Sequence, residues 1–477
     1  MKISPGMKKA KITAIMKRMK WLYAIFIIAI SIIPLRSVIL GGIPFWYDPA
    51  RDMLLAQNNL QKLTLIGPPG GIPGIFYGPY WIWLLSWPMV FSKDPRSVVL
   101  LAITIPFLIL FPFILWRMKK LLGLPAIFII LALFIINYNN YLTFPWSPYL
   151  ISLVILALMY LVSIRAPVIL IGVVAALAPN FNFSFGIVVV FGTLVYVLLT
   201  DWKKLPKFLM GACLVYLPFF IFEVRHDFLQ IRAFWDTFLN SALYNTAAVG
   251  QIGIPKSEIL TRVLTVPAEM LHLPLETFGK LGIVLVVLGV IKGLLKERMV
   301  WLSGCILGSL FFIYHSTKNP IWPYQFIGVE TIFLVVLGLL LSKSRMLSII
   351  IGAWVIWLML GILANFVNPL IPNYLALPTL ASKENIARQV IADAASRPYT
   401  VFAYSPAIYT YEYDYLFGWL AKNHSTSDGL VYLIIPSTTN AIKTDFIHYK
   451  TPDNVYKTEW GKEMPDGTTI IKRVKLK

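Results

Sequence analysis

Cysteine, histidine and charge are all scarce in this chain of 477 residues. Its two cysteines, Cys213 and Cys305, each lie inside an apolar run, which excludes a disulfide framework and a cysteine-based metal site. The five histidines are scattered without ligand spacing, which argues against a histidine metal centre. No glycine-rich phosphate loop followed by lysine is present, so a nucleotide-linked donor has no motif to hold it. Charged residues make up only 13% of the chain against 58% apolar and 14% aromatic, a balance that a soluble globular protein does not reach. The chain reads as an integral membrane protein. Its net charge of +20 would suggest nucleic acid in a soluble protein. In a membrane protein the basic residues instead report which span ends face the cytoplasm, and no nucleic-acid partner is expected.

A basic tail over residues 1–20 precedes an apolar run from Trp21 to near Gly41. At about 20 residues the run is long enough to span, and no small-residue cleavage site follows, so an uncleaved anchor with a cytoplasmic N-terminus is expected. Further apolar runs follow near 97–116, 124–138, 148–164, 166–179, 184–200, 206–223, 279–296, 299–315, 324–342 and 346–366. The run Tyr80 to Phe91 is roughly a dozen residues, too short to cross about 30 Å of hydrocarbon as a helix. Placing it in the outer interface leaves about 11 spans and puts every loop cluster of Arg117, Lys119 and Lys120, of Arg165, of Lys203, Lys204 and Lys207, of Lys292, Lys296 and Arg298, and of Lys343 and Arg345 on the cytoplasmic side. The expected fold is thus an α-helical polytopic membrane protein, with a transmembrane domain over 21–367 and large outer loops at 42–96 and 224–278. Residues 368–477 alternate charge and apolarity and are expected to form a small α/β extracytoplasmic domain, with strands at Tyr399–Tyr404, Leu430–Ile435 and 468–475 and helices at 382–396 and 408–422.

Chemistry concentrates at the outer face. In Phe45-Trp46-Tyr47-Asp48-Pro49-Ala50-Arg51-Asp52, Asp48 suits an N-cap and Pro49 a first helical residue, in a helix running to about Leu63. Asp52 falls one turn from Asp48 with Arg51 between them, so two carboxylates and a guanidinium share a helix face. A carboxylate at a helix N-terminus suits proton abstraction from a hydroxyl, or a divalent metal held by Asp48 and Asp52. The stretch 65–79 is too rich in glycine and proline for regular structure and reads as an open loop whose amides could face a phosphate or sugar. The aromatic run Tyr80, Trp81, Trp83 and Trp87 reads as an interfacial anchor. At the end of the seventh span Glu223, Arg225, His226 and Asp227 could bind a phosphate, the cations oriented by Glu223 or Asp227. An amphipathic helix carrying Phe228, Ile231, Trp235, Phe238 and Ala242 on one face follows. Lys318 supplies another outer cation. Within the spans stand Arg36, near the outer end of the first, and Glu330, about two turns below the surface in the tenth. Arg36 also suits snorkelling to lipid phosphate, and Glu330 a single polar partner on a neighbouring helix.

Together Tyr47-Asp48-Pro49-Ala50-Arg51-Asp52, Leu63-Thr64-Leu65-Ile66-Gly67-Pro68, Phe76-Tyr77-Gly78-Pro79 and Phe222-Glu223-Val224-Arg225-His226-Asp227-Phe228-Leu229 carry a resemblance over roughly residues 20–370. The chain resembles the GT-C class of membrane glycosyltransferases, in particular the family-39-like enzymes related to protein O-mannosyltransferases and lipid A aminoarabinose transferases. The resemblance implies an inverting transferase in the cell membrane. A sugar would pass from a polyprenyl-phosphate donor to a lipid, glycan or protein acceptor on the extracytoplasmic side of the cell envelope. Asp48 would be the general base, and Tyr77 and the outer cations would lie with the substrates. Many relatives carry an adjacent acidic pair in this loop; here the second carboxylate is Asp52, four residues on, free to assist the base, hold metal or pair with Arg51. No glutamate-lysine pair stands near Tyr77 as in the aminoarabinose branch, which argues against that donor. A carrier or flippase for lipid-linked saccharides would share the outer aromatic and cationic features but needs a polar path through the spans. A noncatalytic scaffold would be indifferent to Asp48→Asn. The C-terminal domain has no catalytic motif and is free to bind acceptor, cover the active face or pair with another chain.

Overall fold

The computed structural model describes residues 5–70, 74–239, 253–317, 321–367, 374–405, 409–421 and 426–476. Apolar runs fold as helices because a helix satisfies its own backbone in lipid. In chain order they are α1 (Pro5–Ile39), α2 (Tyr47–Gln61), α3 (Tyr80–Met89), α4 (Pro95–Val99), α5 (Ile105–Arg117), α6 (Lys119–Leu122), α7 (Leu124–Thr143), α8 (Ile151–Ser163), α9 (Val168–Phe181), α10 (Phe183–Asp201) and α11 (Leu205–Arg225). There follow α12 (Leu229–Leu239), α13 (Ile259–Met270), α14 (Leu275–Phe278), α15 (Leu281–Ile291), α16 (Arg298–Ser316), α17 (Val329–Lys343) and α18 (Arg345–Val367). Among the described residues five stretches are long and apolar enough to cross a membrane, one of them, Phe183–Arg225, holding both α10 and α11. Shorter apolar helices at Leu124–Tyr138, Ser147–Ser163, Val168–Phe181, Leu281–Ile291 and Arg345–Gly361 complete a multi-pass bundle. Close helix approaches run through small residues: a side chain at Gly172 would meet the Phe208 carbonyl at 2.2 Å, and one at Gly211 the Ile169 carbonyl at 2.1 Å.

The C-terminal unit contains α19 (Leu380–Ala394), α20 (Tyr411–Leu420) and α21 (Asn440–Lys450) around a four-stranded sheet. The strands β1 (Thr400–Ala403), β2 (Leu430–Ile435), β3 (Tyr456–Glu463) and β4 (Thr469–Lys475) lie in the order β1-β2-β4-β3. β1 and β2 pair in parallel through the α20 crossover, whereas β4 runs antiparallel to both β2 and β3. Three strands and two helices match the expectation from sequence. β3 and α21 add to it: β3 reads Tyr456 to Glu463 with mostly exposed positions and no apolar alternation to betray it.

This unit is seated on the first loop. Leu380 and Ala381 donate their amides to the carbonyls of Ile43 (2.8 Å) and Gly41 (3.0 Å), and Pro44 and Thr379 form an antiparallel bridge. The Tyr415 hydroxyl donates to the Lys93 carbonyl at 2.7 Å, its ring packs edge-on against Phe45, and Arg96 forms an ion pair with the largely buried Glu384. Further contacts draw several other connections to the same end of the bundle: Trp46 with Phe144, Tyr77 with Phe183, Trp146 with Tyr324, and Ile254 with Ile321.

Candidate active site

The helix α2 is entered from extended backbone at Trp46, whose carbonyl accepts the Ala50 amide at 3.1 Å. Asp48 is therefore the second residue of the helix and not its cap, a correction to the expectation from sequence. Pro49 sits in the first turn, where a missing N–H costs nothing and its fixed φ suits the helix. Freed from capping, the Asp48 carboxylate turns to Arg51: Nη1 lies 2.9 Å from Oδ1. Arg51 also grips Asp52, with Nε and Nη2 donating to Oδ1 at 2.9 and 2.8 Å. The remaining Asp52 oxygen accepts the Trp81 indole N–H at 2.8 Å. Exposure separates the two carboxylates: the Asp48 side chain is 23% exposed and that of Asp52 2%. Asp48 has an oxygen to offer, while Asp52 has both engaged.

Burial raises the Asp48 carboxyl above the ordinary aspartate range, with the Arg51 charge and hydrogen bond opposing it. For Asp52 burial also dominates and pushes the group up to about 6, against the pull of Arg51 and Trp81, so Asp52 is mostly ionised at neutral pH. Desolvation works against the Arg51 charge, but two flanking carboxylates prevail and hold it firmly protonated. Burial raises the Tyr77 phenol, which lies within the fields of Tyr324, Arg51, Asp48 and Asp52. The Asp48 charge likewise acts on Tyr324, at the entry to the Pro323–Lys343 span, so side chains distant in sequence converge on Asp48.

Asp48 and Asp52 do not suit a divalent cation, because the Arg51 guanidinium already occupies the position between them. Among the described residues no group of three or more His, Cys, Asp or Glu side chains could hold a metal ion.

The loop after α2 is not open. The Gly67 and Gly70 amides donate to the carbonyls of Tyr77 (2.7 Å) and Ile75 (2.8 Å), and the Tyr77 amide to that of Pro68 (2.9 Å), folding it into a short antiparallel pair. These three amides are thereby spent on the loop itself. Gly78 has no alternative, since a Cβ there would fall 1.4 Å from Asn180 Oδ1. In α3, Trp81 is fully buried beneath Asp52 and Trp83 donates to the Thr64 carbonyl at 2.9 Å, so these two rings support the site instead of anchoring in the interface. Trp87, 44% exposed, retains the character of an anchor.

Glu223 is buried, and its oxygens accept the amides of Gln230 (3.3 Å) and Ile231 (3.2 Å), satisfying the first turn of α12. Gln230 then accepts the Phe76 amide at 2.8 Å, tying α12 to the loop that carries Tyr77. Arg225, His226 and Asp227 are exposed. His226 stacks on Phe222 with centroids 4.0 Å apart, and a tight turn puts Asp227 and Phe228 at φ 53° and 57°. Arg36 is half-buried in the last turn of α1. Glu330 lies in the first turn of α17: Gly328, at φ 111°, breaks the helix before it and donates its amide to the carboxylate at 2.8 Å. The next residue, Thr331, meets the buried Tyr138 hydroxyl at 3.4 Å. Lys318 lies outside the described residues.

A multi-pass bundle with a large first loop, crowned at one end by a small α/β unit, is the GT-C fold. The particular likeness is to the crystal structure of ArnT from Cupriavidus metallidurans in the apo state, with a TM-score of 0.59 and 11% sequence identity over 95% of this chain and 98% of that one. No protein-family model matches the chain, and no curated protein matches it.

Proposed function

We propose that this chain is a membrane glycosyltransferase that moves a sugar from a polyprenyl-phosphate donor to an acceptor hydroxyl on the extracytoplasmic side, with inversion and with Asp48 as general base. The observation that carries the reading is the asymmetry of the two carboxylates at the loop-bearing end of a GT-C fold. Asp48 is accessible and held in place through one oxygen by Arg51, while Asp52 is sealed against Arg51 and Trp81. Asp48 takes the proton of the acceptor hydroxyl as that oxygen bonds to the anomeric carbon. The bond from this carbon to the phosphate oxygen breaks on the opposite face, and its electron pair leaves with the polyprenyl phosphate. Meeting that developing charge is assigned to the exposed Arg225 and His226 at the end of α11. Asp52 acts as a positioning residue through Arg51, and Glu223 through α12.

The test is release of polyprenyl phosphate from a pool of polyprenyl-phosphate sugars by purified wild type and Asp48→Asn, after both are shown to fold. The expected loss is about a hundred- to ten-thousand-fold, the usual worth of a positioned base. Equal release by the two proteins would remove Asp48 from the role. No release, with movement of lipid-linked sugar between leaflets by wild type, would make the chain a carrier.

A further inference from the structure

The reading above leaves the acceptor side of Asp48 unassigned, and the structure places an unusual group of rings there. Tyr409 and Tyr411 lie parallel, 1° apart in plane with centroids 5.3 Å apart. Tyr47, the residue before Asp48, tilts at 49° to both, at 6.1 and 5.1 Å. The Arg51 guanidinium lies over the Tyr47 ring at 5.4 Å, so the rings and the carboxylate pair form one continuous surface. Tyr47 and Tyr411 are half-buried, whereas Tyr409 is 54% exposed and is not consumed by packing. The two outer rings belong to the C-terminal unit and the third to α2, so the surface exists only because α20 is seated on α2.

We propose that Tyr409 and Tyr411, with Tyr47, form the acceptor subsite and that its occupant is a pyranose ring of a glycan. The inference rests on the transferase reading. The electron-rich face of an aromatic ring attracts the weakly positive C–H groups that line one face of a pyranose, while the hydroxyls project from the sugar's rim. A sugar stacked on this corner keeps its hydroxyls at the edge nearest Tyr47, beside the base that must deprotonate one of them. A lipid acceptor without sugar would call for an aliphatic groove in place of phenols with exposed hydroxyl edges, and a peptide for unpaired backbone groups.

The experiment uses the full chain in detergent and saturation-transfer NMR with the methyl pyranosides of glucose, galactose, mannose and N-acetylglucosamine as probes. At least one probe is expected to receive saturation on the C–H protons of a single ring face. Tyr409→Ala and Tyr411→Ala are expected to weaken that binding about ten-fold each, while Tyr409→Phe and Tyr411→Phe retain it. Tyr409 is exposed, so its truncation leaves folding intact even where that of Tyr411 does not. Asp48→Asn is expected to bind the probe as wild type does, which separates this inference from the base assignment: lost transfer with retained binding supports both. Binding of no probe, or binding indifferent to both alanine variants, would overturn the subsite even where polyprenyl phosphate is released.

Discussion

Arg51 serves two carboxylates with one guanidinium and leaves them in different states. Asp52 receives two donors from it and a third from Trp81, while buried from the surface. Asp52→Ala would leave Arg51 with Asp48 as its one carboxylate partner and the Trp81 N–H without an acceptor, and is expected to cost about 1–3 kcal/mol, measured by chemical denaturation in detergent. The Asp52 proton is held more tightly in the folded chain than in the unfolded one. That contribution is full below the ordinary 3.8 and is lost as pH rises through about 6, so over this interval wild type loses stability relative to Asp52→Asn. If Asp48 is the proposed base, its raised carboxyl has a signature in the pH profile. Only the ionised form can take a proton, so kcat/KM should fall on acidification with a midpoint above 3.8; a midpoint at or below that value would mean that burial does not govern the base.

At the scale of elements, the two outer segments form one unit joined by Gln230. Glu223 holds the start of α12, Gln230 on that helix holds Phe76, and the loop so fixed carries Tyr77. Glu223→Ala removes acceptors from two amides and is expected to cost about 1–2 kcal/mol. It should also speed hydrogen exchange at both Gln230 and Phe76, a coupling that a local cap alone would not produce. Gly78→Ala should be more damaging than either, because the added methyl and Asn180 cannot share the space; loss of folded yield, with rescue by Asn180→Gly, checks it. The pairing of Asp48 with Arg51 was legible in the sequence, since a spacing of three suffices to bring two groups together on a helix. The burial of Trp81 under Asp52 was not, because an aromatic run at a span end reads identically whether its rings face lipid or a carboxylate. The pairing of 67–70 with 75–77 was hidden for a related reason: glycine and proline forbid helix and sheet but do not reveal which amides they leave paired.

For the whole molecule, the hydropathy pattern reported the bundle, and the change in composition after residue 367 reported the α/β unit. How the two dock depends on contacts between residues hundreds of positions apart, such as Arg96 with Glu384 and Tyr415 with Lys93, and periodicity carries no trace of these. Reversing the charge in Arg96→Glu should loosen the seat of the C-terminal unit and lower transfer, and the swap with Glu384→Arg should restore part of it. Limited proteolysis between α18 and α19 reads the first effect independently of activity, although Glu384 also pairs with Arg388, so restoration is expected to be incomplete.

The backbone pairing of residues 41–44 with 379–381 has a consequence for how the chain is made. Asp48 enters the membrane among the earliest residues to leave the ribosome, whereas the segment that steadies its helix is among the last. During most of synthesis Asp48 is therefore present without the segment that seats on its loop, and on the proposed reading a message cut short before that segment is expected to yield a membrane-inserted chain that transfers no sugar.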